Sequence, residues 1–220
     1  MLPIPTAGPY RLAVVFDSSG RPSVLKSLKP EFAAREDLAL RLRNEGEVLS
    51  RVGGQHHVIG MHNRTADPVT LSLEYCDGGS LQDRLALGML AKADARRVVP
   101  QLLDAVAWLG ENGVVHRDVK PANILFLGDE LRLADFGVAA WGNPPRALPE
   151  GWAEDTVGTA PWVAPEVARD PMGPVSPAAD IYSAAKVIEA MLGAVPAWLE
   201  GALDQDPERR PTAEELLRRV

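Results

Sequence analysis

Aliphatic and β-branched residues crowd Leu12 to Phe16 and again Ser23 to Leu28, and between them Asp17-Ser-Ser-Gly-Arg-Pro22 gathers turn formers. This pattern predicts a β-hairpin. The period then lengthens. From Pro30 to about Val52, Leu38, Leu42, Leu49 and Val52 supply one face and charged residues the other, which predicts an amphipathic helix ended by Gly53-Gly54. Val69 to Tyr75 alternates as a strand until Asp77-Gly-Gly-Ser80 breaks it, and that glycine pair reads as a hinge between two halves. Beyond it helices dominate. Val98, Leu102, Val106 and Leu109 recur at spacings of three and four between Asp94 and Asn112, with Gly113 as the stop. Pro177 to Leu192 is another amphipathic helix, and Thr212-Ala-Glu-Glu215 has the form of a capping box opening the last one. Gly142 to Glu154, with Pro144, Pro145 and Pro149 and little periodicity, is predicted to be a surface loop.

The chain has 220 residues, enough for one sizeable domain or two small lobes. With 46% hydrophobic and 24% charged residues it has the composition of a globular protein with a core. The formal charge of −7 removes a generic basic footprint for nucleic acid or anionic lipid. The one cysteine, Cys76, makes neither an internal disulfide nor a thiolate zinc site, and reads as a small hydrophobe in a reducing compartment. The most apolar late stretch, Val187 to Leu203, is interrupted by Glu189, Pro196 and Glu200, so no span of the ~20 residues a bilayer needs is expected. The N-terminus lacks the basic start and apolar run of a signal peptide. A cytoplasmic chain with neither nucleic acid nor membrane as partner is expected.

Three segments carry candidate chemistry: His116-Arg-Asp-Val-Lys-Pro-Ala-Asn123, Asp135-Phe-Gly137, and Gly158-Thr-Ala-Pro-Trp-Val-Ala-Pro-Glu166. Alone each is weak, and a single Asp or Lys is most often a solvated surface charge. In this order they resemble the catalytic loop, magnesium loop and activation-segment end of eukaryotic-type (Hanks-type) Ser/Thr protein kinases. Upstream, Ser23-Val-Leu-Lys26 resembles the strand with the family's phosphate-binding lysine, Glu45 lies 19 residues on where the ion-pairing glutamate belongs, and Leu73-Glu-Tyr-Cys76 resembles the hinge. Downstream, Asp180-Ile-Tyr-Ser183 and Asp206-Pro-Glu-Arg-Arg-Pro-Thr212 resemble the central helix start and closing signature, so the likeness runs from about residue 11 to the end.

The resemblance implies an α+β, bilobal protein-kinase-like fold. A reduced β-rich N-lobe would occupy residues 1–78, a sheet plus one helix with the hinge at 74–78. A mainly helical C-lobe, 79–220, would carry the catalytic loop and activation segment. It also implies ATP and Mg²⁺ as cofactors and assigns roles by position. Lys26 contacts the α and β phosphates and Glu45 holds its ammonium. Asp135 and Asn123 bind Mg²⁺, which prefers hard oxygen ligands. Asp118 accepts or orients the proton of the attacking hydroxyl. Lys120 neutralises charge on the γ phosphate and favours Ser or Thr as acceptor. Adenine rests on the Glu74 to Cys76 backbone beside Leu125. Asp83 is either a ribose contact or a helix-start carboxylate. Structural roles are implied for the His116 and Phe136 stack, for a buried Glu166–Arg210 pair, and for Asp180 as acceptor of catalytic-loop amides. Gly137 would permit the tight turn after Asp135, Thr159 would touch the base, and Arg117 would pair with a phosphorylated residue, Thr156 being the best acceptor candidate.

Two departures stand out. Where the family has Gly-x-Gly-x-x-Gly, this chain has Pro5-Thr-Ala-Gly-Pro-Tyr10: Pro9 has no amide hydrogen, Tyr10 is bulky, and too few residues precede them for a full first strand. From Glu166 to Arg210 there are only 44 residues, so the helix that often docks protein substrates is expected to be lost, with Leu192 to Trp198 passing directly into the penultimate helix. Hydrophobic surface around Trp162 and Trp198 is then either offered to a partner or closed by repacking. The implied function is a Ser/Thr protein kinase that transfers the ATP γ-phosphate to a protein hydroxyl, including its own. The degenerate loop keeps a pseudokinase or scaffold as the alternative. A small-molecule kinase of the aminoglycoside type is opposed by Lys120, Asp-Phe-Gly and Ala-Pro-Glu. Implied partners are a protein substrate with a Ser/Thr acceptor, and a regulatory protein or a second copy in a homodimer.

Overall fold

A computed structural model describes residues 2–4, 6, 8–88, 92–142 and 157–220. Five strands, β1 (Leu2–Ile4), β2 (Tyr10–Phe16), β3 (Pro22–Leu28), β4 (Met61–Ala66) and β5 (Val69–Glu74), form an antiparallel sheet in the order β1-β2-β3-β5-β4. The predicted hairpin is β2–β3, paired from Tyr10↔Leu28 to Phe16↔Pro22. Lys26 lies in the middle strand, opposite Leu12 on one side and Leu71 on the other, so its backbone is held from both sides. The first strand is short, as expected, yet its three residues still pair Leu2↔Val14 and Ile4↔Leu12.

Helix α1 (Glu36–Val52) starts later than the apolar pattern, because Pro30–Phe32 forms a 3-10 turn first. Glu36 and Asp37 in its first turn suit the positive end of the helix dipole. Its buried stripe includes Leu42, Glu45, Gly46, Leu49 and Val52. A Cβ on Gly46 would stand 2.9 Å from Leu71 Cδ2, so glycine lets α1 lie close on β5 and brings Glu45 over the sheet.

The C-terminal part holds α2 (Leu81–Ala86), α3 (Lys92–Glu111), β6 (Val114–Val115), β7 (Ile124–Leu127), β8 (Glu130–Leu133), β9 (Ala140–Trp141), α4 (Pro165–Arg169), α5 (Ala178–Leu192) and α6 (Ala213–Leu217). Leu102, Leu103 and Leu109 of α3 and Ala184, Val187 and Ile188 of α5 are fully buried, each large side chain contributing roughly 1.5 to 3 kcal/mol of transfer free energy. The β7–β8 hairpin stitches the halves together. Phe126 exchanges backbone hydrogen bonds with Gly78 and Gly79 at 2.8 and 3.0 Å, and Leu133 N–H donates to the His57 carbonyl at 2.7 Å.

The capping box at Thr212 and Glu215 opens α6 as predicted. The expected penultimate helix is corrected. Gly193, Pro196 and Gly201 leave too short an uninterrupted run, and among the described residues Ala197–Leu199 and Pro207–Arg209 are single 3-10 turns. Trp162 and Trp198 are half-buried and packed against the core. The predicted loop at 142–154 lies, beyond Gly142, outside the described residues, as does Thr156. Among the described residues no helix is long and apolar enough to cross a membrane.

Candidate active site

A cleft of about 360 Å³ opens between the sheet and the helical part. Leu12 and Val24 wall it from above, Leu125 and Ala134 from below, and Glu74, Tyr75 and Cys76 form its back edge. Among the described residues the Cys76 backbone takes part in no hydrogen bond. Its thiol is pushed up to about 12 by burial and then by Glu74, which keeps it neutral. The Glu74 carboxylate is engaged, accepting from Arg132 Nε at 3.1 Å and Gly60 N–H at 3.2 Å. Asp83 also lines the cleft, but one of its oxygens accepts from Ser80 N–H and Oγ in a capping box that starts α2.

Lys26 sits at the inner end. Its Nζ lies 2.7 Å from Glu45 Oε2 and 2.9 Å from Asp135 Oδ1, and the ring of Tyr10 covers it with the centroid 4.9 Å away. Burial alone would lower the ammonium pKa, but Asp135 and Glu45 outweigh it and hold Lys26 protonated above the usual lysine range. One cation thus serves two carboxylates. Glu45, with its side chain 2% exposed, is raised to about 7, first by burial and further by the charge on Asp135. Asp135, 45% exposed toward the cleft, experiences the opposing effect of burial, but Lys26 holds it below the usual range.

Asp135 has φ +66, a left-handed conformation that Asp tolerates better than most residues. Gly137 has no positive φ and a Cβ there would make only ordinary contacts, so the turn expected of Gly137 is taken by Asp135 itself. Asn44 is a further residue of the site, outside the three motifs and the Lys26–Glu45 pair. This α1 side chain donates to the carbonyls of Phe136, Gly137 and Ala139 at 3.0 to 3.4 Å and accepts from Trp141 Nε1 at 3.1 Å. Its neighbours one turn away, Leu40, Arg41, Glu47 and Val48, are mixed in character, so the sequence around it carries no signal for this role.

Below Lys26, a second cavity of about 310 Å³ is lined by Tyr10, Arg41, Asp118, Lys120, Asp135 and Thr159. Thr159 Oγ donates to Asp118 Oδ1 at 2.9 Å, and Lys120 Nζ lies 2.6 Å from Asp118 Oδ2 and 2.8 Å from Thr159 Oγ. Asn123 Nδ2 donates to the Asp118 carbonyl and Oδ2 at 2.9 and 3.1 Å. A Cβ on Gly158, which has φ +76, would fall 2.3 Å from Val163 Cγ2, so only glycine brings Thr159 this close. Asp180 accepts from the amides of His116 and Arg117 at 2.6 and 2.9 Å, fixing the loop that bears Asp118. His116 packs on Phe136, ring centroids 4.5 Å apart. Arg117 is buried, with φ +70, and donates to the Pro171 carbonyl. Arg210 grips Glu166 through both guanidinium ends at 2.7 Å each.

The structure therefore gathers Lys26, Glu45, Asn123 and Asp135 with the Glu74 to Cys76 edge and Leu125 in one cleft, and Asp118 and Lys120 in the cavity that shares Asp135 with it. The family model described as protein kinase domain matches residues 12–202. Calcium-dependent protein kinase 25 of Arabidopsis thaliana is 30% identical over 225 residues, 92% of this chain and 42% of that protein. The probable serine/threonine-protein kinase PkwA of Thermomonospora curvata is 32% identical over 196 residues, 82% of this chain and 26% of its own length. The chain spans less than half the length of these relatives. With the motifs converging on one cleft and the family match covering most of its length, the chain belongs to the protein kinase domain family.

Proposed function

We propose that the chain is a Ser/Thr protein kinase that moves the γ-phosphoryl group of ATP to a protein hydroxyl, its own included. The observation that carries this is the cluster in which an alcohol, Thr159 Oγ, already donates to Asp118 while Lys120 lies against both. A substrate hydroxyl that takes a similar place gives its proton to Asp118 as its oxygen bonds to the γ-phosphorus. The bond to the β-bridging oxygen then breaks, and the electron pair leaves with ADP. Lys120 offsets charge on the transferred group, and Lys26, oriented by Glu45, does so on the α and β phosphates. Adenine rests on the Cys76 backbone beside Leu125.

The residues fit Mg²⁺. Asn123 commits its amide nitrogen to Asp118, which leaves the amide oxygen, and Asp135 spends only Oδ1 on Lys26. These are hard oxygen donors on one cleft, the kind that Mg²⁺ prefers, and Asn123 and Asp135 would hold the ion there. When bound, the ion neutralises phosphate charge. In this reading the lobes divide at residues 78 and 79, and the chain works in the cytoplasm on protein substrates, with a regulatory protein or a second copy as further partner.

Labelled ATP, Mg²⁺ and generic protein acceptors test the proposal, with Asp118→Asn as control. Acid-stable label on serine or threonine that the variant lacks is expected. Label no higher than the control on the chain and on every acceptor overturns it. The scaffold reading draws on Pro9 and Tyr10, which stand where the family has its glycine-rich loop. Melting with and without Mg-ATP separates the two, since a ligand at 100 times its Kd adds ~2.7 kcal/mol.

A further inference from the structure

Tyr10 has two attachments that a glycine-rich loop could not make. It opens β2 and shares that strand's cleft-facing side with Leu12, which walls the nucleotide cleft. Its ring lies over the Lys26 ammonium, on a side that Glu45 and Asp135 leave open. Its hydroxyl reaches across to α1 and donates to the Leu38 carbonyl at 3.3 Å. The segment that carries it is itself held. Lys29 N–H donates to the Pro9 carbonyl at 3.0 Å, Lys29 Nζ to the Thr6 carbonyl at 3.0 Å, and Thr6 Oγ to the Tyr10 carbonyl at 2.5 Å. A turn with three such bonds presents Tyr10 from a fixed base, where three glycines would leave a mobile flap.

We propose that Tyr10 is a positioning residue that takes over from the missing glycine-rich loop: its ring holds the Lys26 ammonium and its hydroxyl ties down α1, so that Lys26 and Glu45 stand paired before any nucleotide arrives. The proposal rests on the reading of the cleft as a nucleotide site and adds how that site is kept assembled. The physical logic is one of shared anchoring. Lys26 belongs to the sheet and Glu45 to α1, and the ion pair survives only while those two elements keep their spacing. A single side chain that contacts both the ammonium and the helix backbone fixes that spacing at two points. The desolvated ring face adds a direct attraction for the cation.

Tyr10→Phe keeps the ring and removes the helix bond, and Tyr10→Ala removes both. In nucleotide-free protein, amide hydrogen exchange of α1 is expected to speed up in the order wild type, Tyr10→Phe, Tyr10→Ala. Acylation of Lys26 by an amine-directed reagent should rise in Tyr10→Ala and stay near wild type in Tyr10→Phe, with Lys186 on α5 as internal reference. Titration with Mg-ATP should then show the Kd weakened roughly 5- to 10-fold in Tyr10→Ala and only about 2-fold in Tyr10→Phe, with circular dichroism confirming that both variants fold. Unchanged α1 exchange in Tyr10→Ala overturns the proposal. So does tighter Mg-ATP binding by Tyr10→Ala, because the ring would then be an obstacle to the phosphates. If wild type binds no Mg-ATP, the kinase reading fails, while the nucleotide-free arms still decide whether Tyr10 holds Lys26 and α1.

Discussion

Replacing Arg210 with methionine is the sharpest test of what holds the helical half together. Arg210 has a fully buried side chain and makes four hydrogen bonds: two to the Glu166 carboxylate at 2.7 Å, one to the Ala178 carbonyl at 2.8 Å and one to the Asp204 carbonyl at 2.8 Å. It thereby joins α4, the start of α5 and the turn before α6. Arg210→Met strands a carboxylate whose own side chain is 20% exposed, along with two carbonyls. Removing one partner of a buried pair costs about 3 to 5 kcal/mol. For a chain of this size each kcal/mol lowers Tm by roughly 2 to 4 °C, so a fall of about 6 to 20 °C is expected. The double variant Arg210→Met/Glu166→Leu leaves no stranded charge and should recover much of that loss, giving a coupling of about 2 kcal/mol or more in a double-mutant cycle. Calorimetry with urea melts measures both. The reasoning is refuted if the single change costs under about 1 kcal/mol, or if the two single losses simply add.

Lys26→Met should abolish phosphotransfer, by about 100-fold or more, and the Mg-ATP thermal shift, with the far-UV spectrum unchanged. The fold survives because Glu45, already raised to about 7 by burial, takes up a proton once its cation is gone. Wild-type turnover in the folded variant would remove Lys26 from the site. The same carboxyl predicts pH behaviour. Its folded pKa of about 7 lies above the ordinary 4.5, so its contribution to stability is present below about pH 4.5 and lost as pH rises through 7. Urea melts across that window should show wild type losing stability relative to Glu45→Gln. Mg-ATP affinity should move the other way, strengthening toward pH 8 as Glu45 gains charge, and a flat affinity profile refutes the assignment.

Local patterns in the sequence carried most of the fold. The hairpin, α1, α3, α5 and the capping box of α6 each follow from periodicity or from a cap within one stretch of chain. The penultimate helix did not, because Gly201 inside a short apolar run outweighs the run itself. Lys26, Glu45, Asp118 and Asp135 stood out only as members of a set, and their mutual placement depends on pairings up to 109 residues apart. What stayed illegible is long-range and one-sided. Nothing near Tyr10 shows that its ring would meet Lys26, and nothing near Asn44 shows that it would find three carbonyls 92 to 95 residues away. Gly137 misled for a related reason: a glycine marks where a turn is cheap, whereas here Asp135 accepts the left-handed conformation in order to face Lys26.

Asn44 has a mechanical consequence. Because one amide from α1 grips three carbonyls, of Phe136, Gly137 and Ala139, in the backbone after Asp135, helix and loop are coupled. Tilting the helix drags the loop, and reshaping the loop tilts the helix. The site has a single degree of freedom at this point where two separate elements would have given it two, and Lys26, bonded to one residue from each, registers its setting.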